Sequence, residues 1–121
     1  MVNRAVWMDI PVVDVPRAAA FYAAVLGVPV HQDTYDGTPF AVLHHEDGNG
    51  GSLIPRPDEV GRGGILVYFN VDGRIRAAVR EATARGGQVL SDVHPIGPHG
   101  FRAIVVDSEG NRIALHSASD A

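Results

Sequence analysis

The sequence predicts an α+β protein in which a strand, a helix and three further strands occur twice along the chain. The first observation behind this prediction is an internal repeat, in which residues 13–33 align with 71–92 and residues 47–54 align with 109–116. The second is that strand-like and helix-like apolar patterns follow one another in the same order in each half. A chain of 121 residues suits one compact domain made of two such halves.

The first module is predicted to span residues 1–57 and the second 58–121. In the first module, a helix follows the first of four strand-like segments, which lie at 5–12, 28–32, 40–45 and 51–55. In the second module, a helix again follows the first of four such segments, which lie at 63–71, 88–93, 101–106 and 112–117. Each module therefore has the order β-α-β-β-β.

The helix boundaries carry their own signals. Asp14 and Asp72 stand before the two helices, where a carboxylate accepts hydrogen bonds from the free N–H groups of the first turn. Pro16 is tolerated in that turn because its missing N–H has no helical partner there. Gly27 is a typical helix end. The side chains expected on the buried faces are Phe21, Tyr22, Val25 and Leu26 in the first helix and Ile75, Val79 and Ala82 in the second.

The composition excludes several classes of protein. With no cysteine, the chain forms neither disulfides nor thiolate metal sites. All ten cationic residues are arginine, without a basic cluster, and the net charge is −4, so no nucleic-acid partner is expected. No apolar run reaches membrane-spanning length, and the N-terminal segment lacks the pattern of a signal peptide. We therefore expect a cytoplasmic protein without a membrane partner.

Three segments carry a resemblance to a known superfamily. They are IPVVDVPRAAAFYAAVLGVPV near the N-terminus, GILVYFNVDG at the start of the second module and GFRAIVVDSEGNRIALHS near the C-terminus. Together with the doubled module they resemble the vicinal oxygen chelate superfamily, which includes glyoxalase I, bleomycin-resistance proteins and extradiol dioxygenases. The resemblance implies two curled mixed sheets around a cavity, a homodimer and, in the enzymes of the superfamily, a divalent metal held by four side chains.

The same resemblance places the four metal-ligand positions on Trp7, Ser52, Leu66 and Ala114. Metal enzymes of the superfamily have His, Glu or Gln there. Tryptophan, leucine and alanine side chains offer no lone pair to a divalent ion, and a single serine hydroxyl is a poor ligand. The sequence therefore predicts a chain without a bound metal or other cofactor, in which the strand at 112–117 has lost its ligand.

Asp9 and His116 are the candidate catalytic residues. Asp9 interrupts an otherwise apolar strand, where a carboxylate serves as a general base or anchors a cationic group. His116 shares a strand face with Ala114, and a histidine side chain is a common proton carrier in enzymes. Strand alternation places further side chains on the lining of the same pocket. These candidate ligand-binding residues are Trp7, Ser52, Ile54, Leu66, Tyr68 and Asn70, with His99 in the loop beside them.

Two classes of function remain open at this stage. In the first, the chain binds or sequesters a small organic molecule in an apolar cavity, as in the bleomycin-resistance branch of the superfamily. In the second, it is an enzyme: either a metal-free acid–base isomerase or cyclase that uses Asp9 and His116, or a metal-dependent lyase or dioxygenase of the glyoxalase type. Structural alternatives also exist, since Asp9 could lie in solvent at a sheet edge and His116 at the end of the last strand.

Overall fold

The computed structural model describes residues 4–47 and 49–121, so Gly48 of the aligned segment 47–54 lies outside the described residues. The predicted α+β order, β-α-β-β-β occurring twice, is confirmed. The elements of the first module are β1 (Trp7–Val12), α1 (Val15–Leu26), β2 (Val30–Tyr35), β3 (Thr38–Leu43) and β4 (Gly50–Pro55). Those of the second are β5 (Tyr68–Asn70), α2 (Ile75–Ala84), β6 (Gln88–Pro95), β7 (Phe101–Val106) and β8 (Arg112–Ser117).

Each module forms one four-stranded mixed sheet. The strand orders are β1-β4-β3-β2 and β5-β8-β7-β6, with β1 parallel to β4 and β5 parallel to β8. The remaining neighbours are antiparallel. Neither sheet closes on itself. Because side chains alternate along a strand, each sheet has one face against the helices and one face turned away from them, which we call its open face.

The two helices and the inner faces of both sheets share one core. Helices α1 and α2 pack against each other, and the ring of Tyr22 lies 5.5 Å from that of Phe69 across the modules. Burying such apolar side chains is the main favourable term in folding. The fully enclosed apolar members of the core include Val12, Phe21, Val25, Ala41, Leu53, Ile75, Ala78, Ala82, Ala103, Val105 and Leu115.

The turn between β7 and β8 is organised by Asp107, whose side chain is buried. Its Oδ1 accepts hydrogen bonds from the backbone N–H groups of residues 109, 110 and 111 at 2.8–2.9 Å. Its Oδ2 accepts from the Tyr22 hydroxyl at 2.6 Å and from Asn111 Nδ2 at 3.0 Å. Burial and the neighbouring Asp107 carboxylate raise the pKa of Tyr22 well above its ordinary value, so the phenol stays protonated and donates.

Glu109, in the same turn, holds the second module against the start of α1. Its Oε1 accepts from the backbone N–H groups of Val13 (2.9 Å) and Asp14 (2.7 Å). Arg17 pairs with the carboxylate through Nε at 2.8 Å and Nη2 at 3.0 Å. Burial alone would raise the pKa of Glu109, but hydrogen bonds from Arg17, Asp14, Ser108 and Val13 outweigh it and lower the pKa to about 2. The turn at residues 107–111 therefore joins the two modules, and we call the contacts of Glu109 in it the clasp.

The sequence predictions need correction where the second module departs from the first. Asp14 caps α1 as predicted, accepting from the N–H of Arg17 at 3.0 Å. Asp72 does not cap α2, which begins after Arg74 without a side-chain cap. Asp72 instead accepts from Ser117 Oγ and the Ala118 N–H. The reason is a longer connection: two residues separate β1 from α1, whereas four separate β5 from α2.

Two further predictions were wrong in extent. The strand expected at 63–71 is paired only over Tyr68–Asn70. In the glycine-containing segment before it, the Val67 carbonyl accepts from the Ala114 N–H of β8 at 2.9 Å, but regular pairing does not extend further. In α2, Ala78 is fully buried and Val79 only partly, so the inward stripe is centred on Ala78. The small Ala78 side chain suits the close packing of two helices.

Candidate functional site

The four positions where the resemblance expects metal ligands occupy corresponding places in the two modules. Asp9 lies opposite Ser52 in the β1–β4 pair, and Tyr68 lies opposite Ala114 in the β5–β8 pair. Trp7 therefore stands two residues before Asp9, as Leu66 stands two residues before Tyr68. Trp7 and Leu66 therefore correspond to each other, as Ser52 corresponds to Ala114, although Leu66 precedes the paired part of its strand.

The side chains at these positions do not fit a metal ion. Trp7 Nε1 is a donor only and gives its hydrogen to Ser52 Oγ at 3.1 Å. Leu66 and Ala114 have no polar side-chain atom, and Ala114 is fully buried. Among residues 4–47 and 49–121, no group of three or more histidine, aspartate or glutamate side chains is placed to hold a metal.

The open face of the first sheet combines aromatic and acidic side chains. Trp7 is 42% exposed. Its indole packs edge-on against the His45 imidazole, with the two ring centroids 5.3 Å apart. Ser52 and Ile54 line a shallow cavity of about 440 Å³ on this face. Asp9 is exposed, and within the described part of the chain its carboxylate has no hydrogen-bond partner. Its charge is therefore solvated, which removes the desolvation penalty that a buried carboxylate would carry.

The open face of the second sheet carries a polar network that the sequence argument missed. Arg102 donates through Nε to His94 Nε2 at 3.1 Å and through Nη1 to the Tyr68 hydroxyl. His94 Nδ1 lies 2.7 Å from the Asp92 carbonyl oxygen, to which it donates. Arg102 was detectable in principle, because an arginine in FRAIVV interrupts an apolar strand just as Asp9 does.

His116 belongs to the same open face. It lies directly opposite Arg102 in the β7–β8 pair and opposite Asn70 in the β5–β8 pair. Its Nε2 is 2.7 Å from the carbonyl oxygen of His99, so this nitrogen carries the hydrogen and donates it. His99 therefore takes part through its backbone, at the end of a short 3-10 turn (Gly97–His99).

The two candidate catalytic residues lie on different sheets. Asp9 is on β1 and His116 on β8, and no hydrogen bond or ion pair joins them in the described structure. The chain does bring Trp7, Tyr68 and Asn70 together, around a cleft of about 390 Å³ between β1 and β5. A larger cleft of about 500 Å³ beside it is lined by both modules, including Asp9 and Arg112. Clefts of this size suit small organic ligands.

Paired β-α-β-β-β modules with open sheet faces define the glyoxalase/bleomycin-resistance/dioxygenase superfamily, also called the vicinal oxygen chelate superfamily. The chain belongs to the glyoxalase-like domain family, whose model matches residues 5–116. A glyoxylase-like domain-containing protein from Didymella fabae is 30% identical over 115 residues, which are 89% of this chain and 88% of that protein.

Solved structures confirm the fold. A glyoxalase/bleomycin resistance protein from Albidiferax ferrireducens superposes with a TM-score of 0.75 at 15% identity, over 95% of this chain and 98% of its own. The fosfomycin resistance protein FosX from Listeria monocytogenes superposes with a TM-score of 0.71 at 13% identity, over 97% of this chain and 93% of its own.

Within the part of the chain that the structure describes, no helix is long and apolar enough to cross a membrane.

Proposed function

We propose that this protein binds a small organic molecule, without a metal, between open sheet faces lined by Trp7, Tyr68 and Asn70. The observation that carries the proposal is the chemistry of the side chains at the four expected ligand positions. The Trp7 indole N–H is bonded to the Ser52 hydroxyl, and the other two side chains, Leu66 and Ala114, are apolar. The exposed aromatic rings at 42% and 46% supply the apolar contact area that small-molecule sites use.

We further propose that the site is completed in a homodimer. The open face of the first sheet presents Asp9 and Asp33, and its strands contain no arginine. The open face of the second sheet presents Arg102 and Arg112, and β5, β7 and β8 contain no carboxylate. The carboxylate of this sheet is Asp92 on β6, which accepts from the neighbouring Val93 N–H. A two-fold axis that sets the first face of one copy against the second face of the other would pair opposite charges twice.

Two measurements test binding without metal. Elemental analysis of untagged protein, purified without chelator and then challenged with Ni, Zn, Mn, Fe and Mg, is expected to show no stoichiometric metal and no thermal shift. A fragment library of aromatic acids, amides and alcohols, screened by chemical-shift perturbation, is expected to move signals of Trp7 and Tyr68. Stoichiometric metal that is lost together with stability would contradict the proposal.

Paired variants sharpen the screen. Trp7→Ala removes an aromatic wall of the cleft and is expected to weaken fragment binding about tenfold, as loss of a central aromatic contact does. Leu90→Ala is the matched control, because Leu90 is 41% exposed on β6 and lines neither cleft. Equal losses in both variants would show that the cleft is not the binding site.

Acid–base catalysis is the second candidate function. It is favoured by two observations: Asp9 is exposed, and His116 Nδ1 has no partner in the described structure, so neither group is occupied by another side chain. In the proposed dimer, Asp9 of one copy and His116 of the other would face a shared cavity. Asp9→Asn and His116→Ala are expected to abolish turnover of a substrate found by screening; unchanged turnover in both would rule the assignment out.

A further inference from the structure

Arg102 donates to two neutral side chains on the open face of the second sheet and has no carboxylate partner in the described structure. Arg17 is neutralised by the buried carboxylate of Glu109, and Arg74 donates to the carbonyl oxygens that end α1. Arg102 is partly buried, and its partners are a neutral imidazole and a phenol. Over the described residues, no carboxylate oxygen lies within 4.0 Å of its guanidinium. Its orientation is fixed, but its charge is not compensated.

The partners of Arg102 are themselves fixed by hydrogen bonds. Since His94 Nδ1 donates to the Asp92 carbonyl oxygen, Nε2 carries no hydrogen and accepts from Arg102. The Tyr68 hydroxyl accepts from Arg102, so its own O–H is free to donate elsewhere. Tyr68 also lines the cleft between β1 and β5. The guanidinium and this hydroxyl therefore present two adjacent donor groups beside a cleft.

We propose that Arg102 and Tyr68 bind an oxyanion, a carboxylate or a group of like chemistry, on the small organic ligand of this protein. The inference rests on the proposed function and names the class of ligand. A fixed guanidinium matches the two oxygens of a carboxylate, and a charge-assisted hydrogen bond is stronger than a neutral one. His94 is a positioning residue. Its Nε2 accepts from the guanidinium and its Nδ1 donates to the Asp92 carbonyl, so neither ring nitrogen is left to donate to the anion.

The test compares acids with their neutral amides. Benzoate and phenylacetate are titrated against benzamide and phenylacetamide. Binding is followed in every variant by the chemical shift of the Trp7 indole N–H, and in the wild type also by those of the Arg102 Nε–H and the Tyr68 ring. Wild-type protein is expected to bind the acids more tightly than the amides. Arg102→Gln is expected to weaken acid binding by roughly tenfold or more and to leave amide binding unchanged. Arg102→Lys, which keeps the charge but loses the planar fork, is expected to recover part of the loss.

Tyr68→Phe and Arg80→Gln complete the set. Tyr68→Phe keeps the ring and removes the O–H, so it should weaken only the acids. Arg80→Gln removes the same charge from an exposed position on α2 and should change neither class of probe. Equal affinity of acids and amides in the wild type, or an unchanged acid affinity in Arg102→Gln, would overturn the inference while the small-molecule site stands. Absence of any shift at Trp7 or Tyr68 with all four probes would overturn both.

Discussion

The two modules share one fold and differ in how each helix is attached. In the first module, α1 starts at a capping aspartate, and the two N–H groups before it are held by Glu109 from the other module. In the second, α2 starts after Arg74 without a side-chain cap, and Asp72 binds the chain after β8. The comparison shows that the repeat preserves the core, whereas the connections between strand and helix differ from module to module.

The open faces differ in the same way. Corresponding positions hold Asp9 in the first module and Tyr68 in the second, and Ser52 corresponds to Ala114. One face carries acidic side chains and the other an arginine network. The backbone of a module thus sets where a side chain stands, and the residue type alone sets its chemistry. That is why the fold by itself does not specify an activity.

The largest expected effect is at the clasp. Glu109→Ala leaves the N–H groups of Val13 and Asp14 without their acceptor and Arg17 without its partner. We expect the free energy of unfolding to fall by about 3 kcal/mol, because several part-buried hydrogen bonds to one buried carboxylate are lost together. A single hydrogen bond to a charged group contributes about 1.5–3 kcal/mol. Chemical denaturation measures this. If Glu109→Ala lowers the free energy of unfolding no more than Asp72→Ala does, the clasp does not stabilise the contact between the modules.

The pH dependence of stability isolates the charge of Glu109. Its pKa is lowered from 4.5 to about 2 in the folded protein, so the unfolded chain binds the proton more readily. This contribution to stability is complete above pH 4.5 and is lost as the pH falls through that value towards 2. Thermal unfolding from neutral to acidic pH is expected to show the loss in the wild type. Glu109→Gln should lose less over the same interval, and parallel curves would contradict the assignment.

The smallest expected effect compares the two junctions directly. Asp14→Ala removes the cap of α1 and is expected to destabilise the protein by about 1 kcal/mol. Asp72→Ala removes the acceptor of the Ser117 hydroxyl and of the Ala118 N–H. Because Asp72 is exposed and water can take the place of its carboxylate, this change is expected to cost less, within about 0.5 kcal/mol. Both are measured by the same denaturation experiment. An equal or larger loss for Asp72→Ala would mean that the two connections are equivalent after all.

Much of the fold follows from the sequence by periodicity and helix signals. Strands β7 and β8 have the predicted bounds, and Gly27 ends α1 in the left-handed conformation, with φ at 69°. The shared face of Trp7 with Asp9 and that of Tyr68 with Asn70 follow from strand alternation. The first strand of the second module is shorter than predicted. Its length depends on pairing with β8, and local sequence does not reveal how far that pairing extends.

For the candidate site, too, some features follow from the sequence and others only from the tertiary structure. The resemblance places the four expected ligand positions on Trp7, Ser52, Leu66 and Ala114, and the residue types alone show that three of these side chains offer no lone pair to a metal. The strand faces also follow from the sequence, since side-chain direction follows from the two-residue period of a strand. The tertiary structure alone decided that Arg102, His94 and Tyr68 form one network, that Asp9 and His116 lie on different sheets, and that Glu109 joins the modules. These depend on contacts between residues far apart in the chain, which only the packing of the two sheets brings together.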